Sequence, residues 1–217
     1  MFTGIVEEIG IVNSKQKIGE GYKFRVKSKN AIKKLALSDS INVNGVCHTV
    51  TSKTRNEFEF TSVHETLKKT NIGELNIGDK VNLESSLTLN KKIGGHFVFG
   101  HIDDTGIITS IKQVKTKNKK QSSNREYRIK IHKKHLPFVI YVGSIAVNGV
   151  SLTVAEVSKP RGNYFEIKIS VIPYTYNHTT LQQLGINDKV NLEFDFLGKY
   201  ILNVLNQKSK LKKLIKS

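Results

Sequence analysis

The side chains best suited to chemistry crowd the middle of the chain. Residues 94–106 read "GGHFVFGHIDDTG" and bring His96, His101, Asp103 and Asp104 close together in sequence. Such donors raise a metal site first. His96 and His101 are an odd number of residues apart, so a regular strand would turn them to opposite faces, and the set matches no zinc spacing. Cys47 followed by His48 offers a nucleophile and a base, but strand neighbours also point apart, which makes that dyad a poor one. Cys47 and Thr49 share a face instead, as do Ser151 and Thr153, each pair beside an Asn-Gly dipeptide (44–45 and 148–149). Two short polar ladders of this kind can hydrogen-bond a ligand, although ordinary exposed polar residues on a strand face would look the same.

The ladders come in two because the chain repeats. "MFTGIVEEIG" returns 96 positions later, placing Gly4 on Gly100, Val6 on Ile102 and Gly10 on Gly106. "INVNGVCHTV" (41–50) returns as "IAVNGVSLTV" (145–154), and "GDKVNLE" (78–84) as "NDKVNLE" (187–193). Three blocks in one order mark the duplication of a unit of about a hundred residues, joined near "TLNKKIGG" (88–95). The halves differ where it matters: Ser86 aligns with Asp195 and Ile5 with His101, so the titratable pair His101 and Asp195 belongs only to the second half. Two similar pockets, one carrying acid–base equipment, suit a reaction that uses two similar molecules differently.

The elements that must hold these residues are mostly strands. "KFRVKS", "FEFTSV", "YRIKIH" and "FEIKISVI" alternate with period two, and the Asn-Gly pairs mark turns. "HETLKKTNIGEL" and "TYNHTTLQQLGI" read as short helices ending at Gly73 and Gly185. About six strands and a helical turn per half predict an all-β protein of two small closed barrels, a form without free edges. The expected domains are 1–94, 95–197 and a C-terminal helix at 198–217. Residues 115–126 form a lysine-rich insertion. In the last segment Ile201, Val204, Leu205, Leu211, Leu214 and Ile215 fall largely on one helical face. That stripe is either an oligomer contact or a seat on the second barrel.

Composition narrows the function classes. The net charge is +17, but only five of 35 basic residues are arginine and the lysines are scattered apart from clusters at 112–120 and 208–216. Nucleic-acid grooves favour the planar arginine fork, so no nucleic-acid partner is expected. No run approaches the roughly 18 apolar residues of a membrane helix. The N-terminus lacks a signal-peptide pattern, and the lone Cys47 excludes an internal disulfide; a cytoplasmic protein is expected.

The start "MFTGIVEE", the join "IGGHFVFGHIDDTG", the copies "NGVCHTV" and "NGVSLTV" and the basic helical tail together resemble the riboflavin synthase α-chain family, with its lumazine-binding repeats, over essentially the whole chain. The resemblance implies two six-stranded Greek-key barrels, a trimerisation helix, and one 6,7-dimethyl-8-ribityllumazine bound per barrel. Productive sites would then lie between the N-barrel of one subunit and the C-barrel of its neighbour. It implies dismutation of two lumazines, by transfer of a four-carbon unit, to riboflavin and 5-amino-6-ribitylaminouracil. No metal or organic cofactor is implied. The acidic C7 methyl of the lumazine needs only modest base assistance, so orientation carries much of the catalysis. Lumazine synthase, which makes the substrate, is a conceivable partner.

Carried over residue by residue, the resemblance implies ligand contacts at Gly4, Ile5, Val6, Ser40, Cys47, His48 and Thr49, and along Thr61, Ser62, Val63, His64, Glu65 and Thr66. In the second half it implies Gly100, His101, Ile102, Ser151, Leu152 and Thr153, and Ser170, Val171, Ile172, Pro173, Tyr174 and Thr175. His101 and Asp195 become the expected proton-transfer groups, assisted by Cys47 and Ser151. Three positions depart from the family pattern. Phe99 replaces a small or polar residue, His48 a leucine, and Val142 a lysine that reaches the ligand of a neighbouring subunit, although Lys133 and Lys134 stand nearby. Three rivals remain: a lumazine or flavin carrier of the same fold, whose second barrel should have lost its motif; a flavin-dependent oxidoreductase, which should show a Gly-rich strand-turn-helix that this sequence lacks; and a nucleic-acid-binding barrel, which should retain oligonucleotides in a salt-sensitive way.

Overall fold

The alternation seen in the sequence becomes strand burial. In β6 (Glu57–Ser62) Phe58 and Phe60 point inward, and in β12 (Tyr164–Val171) so do Phe165, Ile167 and Ile169. The first half also contains β1 (Glu8–Ile18), β2 (Gly21–Lys27), β3 (Ser40–Val43), β4 (Val46–Thr49), β5 (Ser52–Lys53) and β7 (Lys80–Ser85). The second contains β8 (Asp104–Gln113), β9 (Arg125–His132), β10 (Ser144–Val147), β11 (Val150–Val157) and β13 (Lys189–Phe194). This computed structural model describes residues 1–114 and 123–215, so most of the 115–126 insertion, and with it most of the first lysine cluster, lies outside the described residues.

The second half closes into a six-stranded barrel in the order β10-β11-β12-β9-β8-β13. The first half follows the same order with one difference: the strand matched to β11 is broken at Val50-Thr51 into β4 and β5, leaving a seven-stranded sheet whose two ends are joined through the chain. The Thr51 N–H still donates to the Glu59 carbonyl at 2.9 Å across that seam. In both halves the third strand pairs with the last rather than with the second, as a Greek key requires. The crossing is filled by elements the sequence reading did not anticipate: α1 (Ala31–Lys34) in the first half and a 3-10 turn (Lys133–Phe138) in the second.

The two expected helices are each split. α2 (His64–Lys69) precedes a 3-10 turn at Ile72–Glu74, and α3 (Pro173–His178) precedes one at Thr180–Gln183. Gly73 therefore lies inside a turn, and neither Gly73 nor Gly185 ends an α-helix. The break has a cause at Thr70 and Thr179, whose hydroxyls donate back to the Thr66 and Thr175 carbonyls at 2.7 and 2.8 Å and accept the N–H groups of Ile72 and Leu181.

Each barrel has its own core, and a polar lattice joins them. Asn44 and Asn148 head the Asn-Gly turns with positive φ at both turn residues, the conformation such turns need. Asn82 donates from Nδ2 to the Asn148 carbonyl at 2.9 Å, and Asn191 donates to the Asn44 carbonyl at 2.8 Å. The Oδ1 atoms of these two accept the Thr180 and Asn71 N–H groups in turn. Phe2 and Val98 pair as an antiparallel bridge and pack with Ala146 and Cys47 between the barrels.

The C-terminal helix α4 (Phe196–Ile215) begins two residues earlier than expected. Its first turn is anchored: Phe196 stacks edge-on against Phe97 and Phe99, and Lys199 pairs with Asp103 at 2.5 Å. Ile201, Val204 and Leu205 are exposed, so these three residues do not seat on the second barrel. The side chains of Leu211, Leu214 and Ile215, and of the terminal lysine cluster, lie outside the described residues.

Candidate active site

The two polar ladders lie on the outer walls of the barrels. Val46 and His48 of β4 face the core while Cys47 and Thr49 face out; Val150 and Leu152 of β11 face in while Ser151 and Thr153 face out. The Cys47-His48 dyad is thus excluded by geometry. His48 is buried, its Nε2 2.6 Å from Ser62 Oγ and its Nδ1 3.1 Å from the Val46 carbonyl. Burial holds its pKa down at about 3, so the ring is neutral and structural.

The segment that begins each half crosses to the polar ladder of the other. The Gly100 carbonyl accepts the Cys47 N–H at 2.9 Å, and the Gly4 carbonyl accepts the Ser151 N–H at 2.8 Å. Ile102 packs on the core of the first barrel and Val6 on that of the second. Both glycines have positive φ, and a Cβ at either would lie 2.6 Å from the Cβ of the residue it faces, Cys47 or Ser151. Only glycine allows so close a crossing.

On the first barrel this builds a cavity of about 240 Å³ lined by Cys47, Glu65, Thr66, Gly100, His101 and Ile102, with Val46, Lys69 and Thr70. Six of those nine were expected from the sequence; Val46, Lys69 and Thr70 were not. Ser40, Thr49 and the run Thr61–His64 are not among its lining residues, and Ser62 lies inside the core. Ser40 pairs with Thr49, and Thr66 donates its N–H to the Val63 carbonyl. A larger cavity, about 620 Å³ among Arg128, Lys130, Glu156, Arg161 and Tyr164, lies on the outer wall of the second barrel. It includes no residue of either ladder, and Arg128 and Glu156 are bound to each other there at 2.9 Å.

The Ser151 wall carries the acid–base equipment, though not with the expected histidine. His96 Nδ1 is 2.7 Å from Ser151 Oγ. Burial pushes the His96 pKa down while the nearby Asp195 charge partly restores it. Asp195 is itself fixed, accepting the Leu197 N–H at 2.9 Å at the start of α4. His101 and Asp195 make no hydrogen bond or ion pair with each other: His101 crosses to the Cys47 pocket, and Asp195 lies on the His96 side without bonding to it. The signal for His96 was present in the Gly94-Gly95 pair before it, since a Cβ at Gly95 would run into Ser151.

The remaining expected residues line neither of these cavities. Ile5, Ile172, Tyr174 and Val142 are exposed, Val171 and Leu152 face the core, and Pro173 and Thr175 are half-buried beyond Ser170. Val142 holds φ at +64°, an unfavourable region for a β-branched residue, and donates its N–H to the Val154 carbonyl. Phe99 has a structural use, since its ring carries the first turn of α4. Among the described residues no three His, Cys, Asp or Glu side chains converge as metal ligands.

This duplicated, crossed arrangement has a counterpart among known proteins. A family described as "Lumazine binding domain" matches residues 3–86 and again 99–195. The chain belongs to the lumazine-binding domain family. Curated members of similar sequence include riboflavin synthase of Bacillus subtilis, 38% identical over 95% of this chain and 91% of that protein. Riboflavin synthase of Actinobacillus pleuropneumoniae is 39% identical over 96% and 91%. Among solved lumazine-binding folds, LumP complexed with 6,7-dimethyl-8-(1'-D-ribityl) lumazine superposes with a TM-score of 0.76 at 24% identity, covering 89% of this chain and 98% of that one. At that identity the likeness establishes the fold.

Proposed function

We propose that this chain catalyses the riboflavin synthase reaction, in which two molecules of 6,7-dimethyl-8-ribityllumazine give riboflavin and 5-amino-6-ribitylaminouracil by transfer of a four-carbon unit. The observation that carries the reading is the near-complete kinship with riboflavin synthases in both halves of the chain. One lumazine binds on the Cys47 wall and one on the Ser151 wall. Holding two rings in register turns a rare bimolecular encounter into an effectively intramolecular step.

The geometry supports the following roles. Ser151 and His96 form a hydrogen-bonded pair able to take a proton from, or return one to, a ligand on the second barrel, with Asp195 stabilising the imidazolium that results. His101 serves the ring on the first barrel, beside Cys47 and Thr66. The exposed apolar residues Leu197, Ile201, Val204 and Leu205 of α4 support a homotrimer built through that helix. The outward-facing walls support active sites between the first barrel of one subunit and the second barrel of its neighbour. The free thiol of Cys47 supports a cytoplasmic location. A handover from lumazine synthase would be tested by co-elution of the two proteins.

A chromophore carrier of the same fold is the second reading, favoured by the LumP superposition. Mixing the purified protein with the lumazine and following both pigments decides between them. Two lumazines consumed per riboflavin formed is expected; tight binding without riboflavin would establish the carrier.

A further inference from the structure

We propose that Glu84 and Glu193 are crossed positioning residues: each carboxylate is built into the last strand of one barrel and sets the pocket of the other. The inference rests on the reading that the Cys47 and Ser151 walls are the ligand pockets.

Glu193 lies in β13 of the second barrel and is buried. Its Oε1 accepts the Phe99 N–H at 2.7 Å and its Oε2 the Gly100 N–H at 2.8 Å. With both amides held, the Gly100 carbonyl is directed at the Cys47 N–H, and His101 follows into the cavity of the first barrel. Glu84, at the matched place in β7, repeats the device in the opposite sense. Its Oε1 accepts the Thr3 N–H at 2.8 Å and the Thr3 hydroxyl at 2.7 Å, and its Oε2 the Gly4 N–H at 3.0 Å. The Gly4 carbonyl then meets Ser151, and Ile5 and Val6 reach the second barrel.

A buried carboxylate is an expensive way to fix a loop unless the geometry demands it. Here it does, because two adjacent N–H donors need two acceptor oxygens at fixed separation. Glutamine has nearly the same shape but presents one oxygen and one NH₂, which would set donor against donor. Each site has its own cation and acid: Lys91 stands 3.5 Å from Glu84 and 2.7 Å from Glu7, while Lys199 holds Asp103 beside Glu193. Burial raises both glutamate pKa values, against the hydrogen bonds that favour the charged form. Because Lys199 belongs to α4, the first barrel's pocket is also tied to the terminal helix.

Cys47 is the only cysteine and lies under the Gly100 crossing, so its alkylation reports on that loop. In the full-length protein, Glu193→Gln should speed N-ethylmaleimide labelling of Cys47 about tenfold, the order expected for losing one charge-assisted hydrogen bond. Glu84→Gln, which acts on the other crossing, should leave the rate within about twofold. Should Glu193→Gln fail to fold by circular dichroism, Glu193→Asp keeps the charge, shortens the reach and carries the same expectation. Lumazine titration adds a second readout: two binding events per chain in the unaltered protein, with only the first-barrel event weakened by Glu193→Gln. Equal acceleration by both glutamine variants would reduce the carboxylates to general stabilisers, and no acceleration by either Glu193 variant would overturn the proposal. If the unaltered protein binds no lumazine, the ligand reading fails separately, and the labelling contrast still stands or falls alone.

Discussion

Where the first barrel has His48 against Ser62, the second has Leu152 and Val171 at the matched positions. Where the first has Cys47, without a hydrogen bond to its thiol among the described residues, the second has Ser151 bound to His96. Where the first has Ser86, the second has Asp195. Against these differences stand the parts whose backbone bonds match: the asparagine lattice, the glutamate clamps, the glycine crossings and the threonine breaks. The matched parts build and hold the two crossed walls. Under the proposed function, the unmatched parts would set what each wall does to its ligand, with the chemistry on the second barrel and binding the main task of the first.

That contrast can be broken most severely at the reacting groups. His96→Gln, which leaves Ser151 without its imidazole, should lower kcat by about 100-fold or more, whereas Cys47→Ser should cost less than about tenfold. Riboflavin formation followed by absorbance measures both, and equal losses would erase the distinction between the walls. A smaller effect tests the matched parts. Asn82→Ala strands the Asn148 carbonyl and Thr180 N–H, and Asn191→Ala strands the Asn44 carbonyl and Asn71 N–H, so each should cost about 2–4 kcal/mol in urea unfolding. Unequal losses would mean that the lattice is not shared evenly.

The His48–Ser62 pair should behave as a unit. Each single change, His48→Leu or Ser62→Val, leaves a buried polar partner and should cost about 1–3 kcal/mol. The double variant recreates the apolar pairing of the second barrel and should recover to within about 1 kcal/mol of the parent. Additive losses would show the two barrels differ in more than this pair.

A further effect is a pH slope. The His48 pKa is depressed from 6.5 to about 3, so its contribution to stability is present above 6.5 and is lost as pH falls toward 3. The Glu193 pKa is raised from 4.5 to about 7, so its contribution is present below 4.5 and is lost as pH rises toward 7. Between pH 4.5 and 6.5 the two slopes oppose each other, each at most about 1.4 kcal/mol per pH unit. The double His48/Ser62 variant should therefore lose stability with rising pH across that window relative to the parent, and Glu193→Gln should gain it. Parallel curves would sink the assignment.

Much of the fold was legible because its signals are local. "FEFTSV" and "FEIKISVI" fold as their alternation dictates, and the repeat offsets pointed to two matched barrels. The helix ends at Gly73 and Gly185 misled because a glycine stop signal competes with the threonine hydroxyls at 70 and 179, which cap the following turn. The split of the first barrel at Val50-Thr51 left no mark that distinguishes it from the unbroken β11. Strand parity does not apply to His96, which lies in the irregular linker before β8.

The sequence by itself determined the duplication, the all-β class, the outward polar ladders and the kinship with riboflavin synthases, since each depends on residue order, two-residue periodicity or motif. Only the tertiary structure decided which residues share a pocket. An alignment by repeat leaves Gly100, His101 and Ile102 with their own half, but packing sends them to the other barrel. Close approach at Gly4 and Gly100 and the buried carboxylates of Glu84 and Glu193 make that exchange. The carboxylate bonds join residues 80 to 94 positions apart and the glycine crossings residues 53 and 147 apart, beyond the reach of any local pattern.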